Sequence, residues 1–111
     1  MLGCDIIEIS RIKKAYLKYG EKFLDKILSN TEKKIFMEKE GSKYFYLAGR
    51  FAAKEAVVKC EDKKILSYTN IEILNSKTGK PFVKIKGVVR DDLKISISHS
   101  KDYAIAVCAK L

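Results

Sequence analysis

The chain has no tryptophan, a single proline, a single histidine and only three arginines (Arg11, Arg50, Arg90) among its 23 basic residues. Six glycines and one proline exclude a collagen-like or low-complexity chain. No apolar run approaches the ~20 residues that cross a bilayer; the longest, Tyr103 to Ala109, is the size of a strand. The opening MLGCDIIEIS is apolar but carries Asp5 and Glu8. It lacks the basic start and long apolar stretch of a signal peptide, so a cytoplasmic location and no membrane partner are expected. Cys4, Cys60 and Cys108 form no CxxC pair, which argues against a disulfide framework or a zinc site; all three are expected to be small buried residues. No P-loop, GxGxxG, HExxH or RNP1 motif is present. The scarcity of arginine, the better residue for bidentate base recognition, argues against a nucleic-acid partner.

What is present is enough for one domain, residues 1–111. Hydrophobic residues make up 47% of the 111 positions, sufficient for a single modest core. Charged residues reach 33% and the net charge is +9, a balance that favours an anionic partner.

Residues 2–9 read as a strand, with Ile6, Ile7 and Ile9 dense enough for burial on both sides. Ser10 is placed as the N-cap of a helix running to Tyr19, ended by Gly20. A second helix is expected over Glu21–Ser29. Ser29 and Glu32 form a capping box for a third, Thr31 to about Glu40. The longest helix is expected from near Ser42 to about Cys60, with Phe45, Ala48, Ala52 and Ala56 on one face. The period then changes to alternation. Ile71–Asn75 and Pro81–Lys86 flank a turn at 76–80, a hairpin signal, and strands follow at 94–98 and 103–108. The alternate Ala104, Ala106 and Cys108 allow close approach by a helix or by another subunit. Helices in the first half and strands in the second give an α+β fold, helices packed on an antiparallel sheet.

Four features carry candidate chemistry, each with a plain alternative. Asp5 sits inside an apolar strand, where a carboxylate is costly to bury unless it is paired or binds a cation; an edge-strand ion pair is the alternative. Phe51, Glu55 and Lys59 share one stripe of the long helix. Glu55 and Lys59 are either a simple i,i+4 pair or a carboxylate and ammonium able to hold a metal and a phosphate together. His99 follows a strand, where it can project into a cleft or serve as a surface residue. Arg11, Lys14 and Lys18 line one face of the first helix, either solvated or a docking surface for an acidic partner.

Read in order, Gly3-x-Asp5 with Glu8 and Arg11-Ile12, Phe51-x-x-Lys54-Glu55-Ala56 with Lys59, Gly79-Lys80-Pro81, and Ile97-Ser98-His99-Ser100 with Tyr103-Ala104 resemble the holo-[acyl-carrier-protein] synthase family of small 4′-phosphopantetheinyl transferases. The resemblance covers nearly the whole chain. One departure is the stretch Cys60 to Leu66, which lacks the glycine-rich loop usual in the family.

The resemblance implies the 4′-phosphopantetheinyl transferase fold and transfer of phosphopantetheine from coenzyme A to a serine of an acidic apo-acyl carrier protein. Adenosine 3′,5′-bisphosphate is released, in the service of fatty-acid biosynthesis. Asp5 and Glu55 would hold Mg²⁺, with Mn²⁺ equally suited to oxygen ligands. Glu55, Lys59 and His99 would be catalytic: Lys59 facing the α-phosphate, His99 touching phosphate or helping to activate the serine. Arg50, Lys54, Lys59, Lys80, Pro81 and His99 are the candidates for coenzyme A contact. Arg11, Lys14 and Lys18 would dock the carrier protein. A homotrimer with active sites between protomers is implied, with Ala104, Ala106 and Cys108 close to a neighbouring subunit.

Overall fold

The computed structural model describes residues 1–61 and 67–111. In chain order these form β1 (Leu2–Glu8), α1 (Ile9–Tyr19), α2 (Glu21–Ile27), α3 (Asn30–Glu38), α4 (Lys43–Cys60), a 3-10 turn (Tyr68–Asn70), β2 (Ile71–Asn75), β3 (Pro81–Ile85), β4 (Val88–Val89), β5 (Leu93–His99) and β6 (Tyr103–Lys110). The strands make two antiparallel three-stranded sheets, ordered β1-β6-β5 and β2-β3-β4. The expected α+β architecture therefore holds, with its strands divided between two sheets.

Helix α4 is the organising element. Its buried Ala52, Ala53, Ala56, Val57 and Cys60 pack with Ala106 and Cys108 of β6 and with Ile71, Ile73 and Val83 of the second sheet. Small residues on both surfaces let helix and sheet approach closely. At Gly3 that approach becomes obligatory: a Cβ there would lie 2.0 Å from the Ala56 carbonyl oxygen and 2.8 Å from the Cys60 nitrogen. A second cluster, with Phe36, Leu24, Leu47 and Ile12 at its centre, binds α1, α2 and α3 to the other half of α4.

Several expectations are corrected by the packing. The first strand is buried on one face only, because α4 covers one side of its sheet and, among the described residues, no element covers the other. Leu2, Cys4 and Ile6 are exposed on β1, as are Tyr103, Ile105 and Val107 on β6. Ala104, Ala106 and Cys108 thus face their own α4 within the chain, and the bulkier alternate residues point outward. Cys4 belongs to that outer face, so only Cys60 and Cys108 are buried. Burial and the neighbouring Cys60 push the Cys108 thiol up to about 12.

Ser10 lies inside the first turn of α1, not at its cap. Strand passes directly into helix at Glu8, and the Ser10 hydroxyl donates to Glu8 Oε1 at 3.1 Å. The Ser29–Glu32 capping box forms as expected. The short strand β4 follows a two-residue turn in which Lys86 (φ 51°) and Gly87 (φ 79°) are both left-handed, the geometry of a type I′ hairpin. No strand was expected over Val88–Val89.

Candidate active site

Two groups of functional side chains lie at opposite ends of α4. The first stands where β1 passes the last two turns of the helix. Lys59 Nζ donates to Asp5 Oδ1 at 3.1 Å and to the Cys4 carbonyl at 2.9 Å. The Gly3–Ala56 contact sets this spacing by pressing β1 onto α4 just beside Asp5. Asp5 is 16% exposed and Lys59 52%, so the carboxylate is fixed and the ammonium has freedom to move. The other Asp5 oxygen, Oδ2, is buried without a hydrogen-bond partner among the described residues.

Glu55, one turn before Lys59, takes a hydrogen bond on Oε1 from the Tyr68 hydroxyl at 2.5 Å. Burial first, then Glu55, push the Tyr68 phenol up to about 12, with the Asp5 charge acting in the same direction; the group is therefore a neutral donor at neutral pH. Glu55 accepts from this phenol directly, and the charge of Asp5 acts on it through space. Glu55 and Lys59 do not simply neutralise each other, since Lys59 is directed to Asp5.

A buried carboxylate oxygen with no partner among the described residues, near enough to a second carboxylate for both to act on one phenol, fits a hard divalent cation. Mg²⁺ commonly binds through one or two carboxylates, completing its shell with water and phosphate oxygens. Among the described residues no three Asp, Glu, His or Cys side chains gather into a larger set, so such a cation would rely on a bound phosphate.

The second group lies towards the start of α4 and on the β2–β3 hairpin. Arg50 is buried, with its guanidinium 4.6 Å from the Tyr46 ring centroid and Nη2 donating to Asn75 Oδ1 at 3.1 Å. Arg50 Nε and the Tyr46 hydroxyl are both buried without a hydrogen-bond partner among the described residues. Asn75 is paired with Pro81 across the hairpin, so Arg50, exposed Lys80 and half-buried Pro81 share one neighbourhood. His99 is exposed and stacks on Phe45 with ring centroids 4.5 Å apart. Through the register, Asp5 faces Ala106 and then Ile97, two strands away. His99 thus stands about 12 Å from Asp5 between Cα atoms, and Phe45 and Lys59 are about 21 Å apart along the helix. A single chain does not bring His99 together with Asp5 and Lys59.

Lys54 is corrected as a coenzyme A contact. It is fully buried, and its ammonium donates to Glu32 Oε1 (2.5 Å), the Ile27 carbonyl (2.6 Å) and the Tyr68 carbonyl (3.0 Å). All three of its hydrogens are used inside the chain. Glu32 in turn accepts from the Ser29 and Ile73 amides. Helical spacing turns Lys54 about 100° away from Glu55, but only the packing shows that it is enclosed with Glu32.

On α1 the side chains of Arg11, Lys14 and Lys18 are exposed. Among them Leu17 is 65% exposed, an apolar element that the charge pattern had hidden. Arg11 also borders a cleft of about 270 Å³ that runs past Ile6, Ile7, Glu8 and Ile12 to Phe51. Phe51, at the far side of that cleft, packs edge-on against Tyr68, the donor to Glu55. Residues 62–66, in the stretch that departs from the family pattern, lie outside the described residues.

Helix α4, bearing Glu55 and Lys59, thus packs against the Gly-x-Asp strand at Gly3 and Asp5. The chain belongs to the 4′-phosphopantetheinyl transferase superfamily, whose family model matches residues 1–108. Within that class it is similar to holo-[acyl-carrier-protein] synthases. The protein of that name from Geobacillus sp. (strain WCH70) is 46% identical over 110 residues, covering 95% of this chain and 90% of that one. The fold matches the Bacillus anthracis holo-(acyl-carrier-protein) synthase solved in complex with CoA (3′,5′-ADP), with 36% identity, a TM-score of 0.81, and 96% and 91% of the two chains covered. It also matches the Helicobacter pylori holo-[acyl-carrier-protein] synthase solved with coenzyme A, with 32% identity, a TM-score of 0.83 and all of both chains covered.

Proposed function

We propose that this chain transfers 4′-phosphopantetheine from coenzyme A to a serine of an acidic apo-acyl carrier protein, with Mg²⁺ at Asp5 and Glu55, for fatty-acid biosynthesis in the cytoplasm. The observation that carries the reading is the buried Asp5 Oδ2, unpartnered among the described residues, on a carboxylate held by Lys59, with Glu55 one turn before Lys59 on α4. In the transfer, the serine oxygen forms a bond to the β-phosphorus of coenzyme A. The bond from that phosphorus to the oxygen shared with the α-phosphate breaks. Adenosine 3′,5′-bisphosphate leaves with the electron pair, and the serine proton passes to a base. A bound Mg²⁺ would supply charge neutralisation at the pyrophosphate oxygens.

The chain's own residues do the rest. Asp5 and Glu55 present oxygens from two elements whose spacing is set by the Gly3 contact. Lys59 is exposed enough to turn from Asp5 towards the leaving phosphate, where an ammonium offsets the developing charge. Arg50, Lys80 and Pro81 offer a cationic wall and a flat apolar surface for the nucleotide end of coenzyme A. His99 touches phosphate or the incoming serine. The carrier protein docks on Arg11, Lys14 and Lys18, with Leu17 as its apolar contact, and such steering acts mainly on the rate of encounter.

His99 and Arg50 lie away from Asp5 and Lys59 in one chain, so we place the complete site between two copies. The outer sheet face of Leu2, Ile6, Tyr103, Ile105 and Val107 is the surface on which copies meet as a homotrimer. This replaces the Ala104, Ala106 and Cys108 face, which is already filled by α4.

The test is mass spectrometry of an apo-acyl carrier protein incubated with this protein, coenzyme A and Mg²⁺. The expected result is a mass gain of one phosphopantetheine on the carrier and release of the bisphosphate. An unchanged carrier mass across several acidic carriers would overturn the reading.

A further inference from the structure

We propose that Tyr68 is a positioning residue, whose hydroxyl holds the Glu55 carboxylate in the orientation that receives a divalent cation together with Asp5. The inference rests on the proposed cation role of Asp5 and Glu55, and it adds a residue from outside the motifs that point to them.

Tyr68 opens a 3-10 turn that is not continuous with either β1 or α4. Three contacts nevertheless fix its side chain relative to α4. The hydroxyl donates to Glu55 Oε1. The ring meets Phe51, one helical turn earlier on the same face, edge-on at 5.9 Å between centroids. The backbone carbonyl accepts from Lys54 at 3.0 Å, and Lys54 is itself locked by the Ile27 carbonyl and Glu32. The turn carries its own cap, since Ser67 Oγ accepts from the Thr69 amide. Residues 51, 54 and 55 of α4 therefore all engage this one tyrosine.

Glu55 needs such support. It is half-buried near the exposed edge of the helix, and its long side chain has several rotamers open to it. A neutral donor on Oε1 selects one of these and leaves the second oxygen to face the cation. Lys59 does not supply this restraint, because it is directed to Asp5 and the Cys4 carbonyl. The same arrangement explains the burial of Lys54: its ammonium anchors the turn that delivers the phenol. Lys54 is thus adjacent to the site in sequence and acts on it through Tyr68.

The test compares wild type, Tyr68→Phe and Asp5→Asn. Phenylalanine keeps the ring and its contact with Phe51 and removes only the donor. Affinity for Mn²⁺ is read from the free-ion electron paramagnetic resonance signal, with and without coenzyme A. The Mg²⁺ concentration giving half-maximal transfer and the melting temperature without metal are measured alongside. Tyr68→Phe is expected to weaken Mn²⁺ binding by about three- to tenfold and to raise the half-saturating Mg²⁺ by the same factor. The defect should recede at saturating Mg²⁺, with little change in melting temperature. Unchanged Mn²⁺ affinity in Tyr68→Phe overturns the proposal, as does loss of turnover that no concentration of Mg²⁺ repairs. If wild type binds Mn²⁺ no better than Asp5→Asn, the cation assignment itself fails, and the role of Tyr68 fails with it.

Discussion

The ammonium of Lys54 lies 2.5 Å from Glu32 Oε1, with both side chains fully enclosed between α3 and α4. Burial lowers the Lys54 pKa, and Glu32 acts against that. Removing one partner strands a charge that has no water to receive it. Lys54→Met is expected to destabilise the fold by about 3–5 kcal/mol, and Lys54→Met with Glu32→Gln to recover part of the loss. Denaturant unfolding of the two variants checks this; a nearly neutral Lys54→Met would mean that the pair is not closed to solvent.

At Gly3 the obstacle is backbone. The Ala56 carbonyl oxygen that a Cβ would strike cannot turn aside as a side chain does. Gly3→Ala must therefore push β1 away from α4 and carry Asp5 with it. A loss of about 1–3 kcal/mol is expected, together with a fall in transfer activity that persists at temperatures where the variant is fully folded. Activity assays on the folded variant distinguish the two effects.

Lys59 is half-exposed and makes one ion pair among the described residues, so it contributes little to stability. Its proposed work is at the leaving phosphate. Lys59→Ala is expected to keep the wild-type melting temperature within a few degrees and to lose about 10²-fold in turnover. Steady-state kinetics with saturating coenzyme A and Mg²⁺ measures this, and undiminished turnover would remove Lys59 from the reaction.

If each site draws Asp5 from one copy and His99 from another, defects in the two residues should complement. Asp5→Ala and His99→Ala proteins are each expected to be impaired. Co-expressed as mixed trimers, they should recover up to about a quarter of wild-type activity, the share of sites that combine two intact halves. Activity no higher than the average of the separate variants would place the whole site within one chain.

Arg90 joins Glu61, the residue just past α4, to Asp92, the residue just before β5. Hydrogen bonding from Arg90 holds both carboxyls below their ordinary values, Asp92 at about 2. Because the folded-state values are depressed, the stabilisation is present in full above the unfolded carboxyl range. It is lost as pH falls from about 4.5 towards 2. Melting temperature should therefore drop steeply across that window, and Arg90→Gln should flatten the drop. An identical acid profile in the variant would show that the pairs do not contribute.

The elements most legible in the sequence were those governed by neighbours along the chain. The Ser29–Glu32 capping box and the β2–β3 turn depend on contacts a few residues apart, and both form where expected. The β4 strand was missed because a lysine occupies a left-handed turn position that usually signals itself with asparagine or glycine. Among the site residues, Asp5, Glu55 and Lys59 stood out by type and spacing. Tyr68 did not, since nothing local relates a tyrosine past residue 61 to a glutamate on the preceding helix.

The sequence by itself determined the α+β class, the helical stripe bearing Glu55 and Lys59, and the basic face of α1, because periodicity and charge are local properties. Only the tertiary structure decided what each charge meets. It sent Lys59 to Asp5 and enclosed Lys54 with Glu32. It turned Ala104 and Ala106 of β6 inward and Tyr103, Ile105 and Val107 outward, and it put the width of β6 between His99 and Asp5. The reason is physical: a side chain's direction is set by the strand pleat and the helix rotation. Its partner depends on which surface the packing of α4 on the sheet leaves open, and that follows from close approaches such as Gly3 on Ala56, made between residues far apart in the chain.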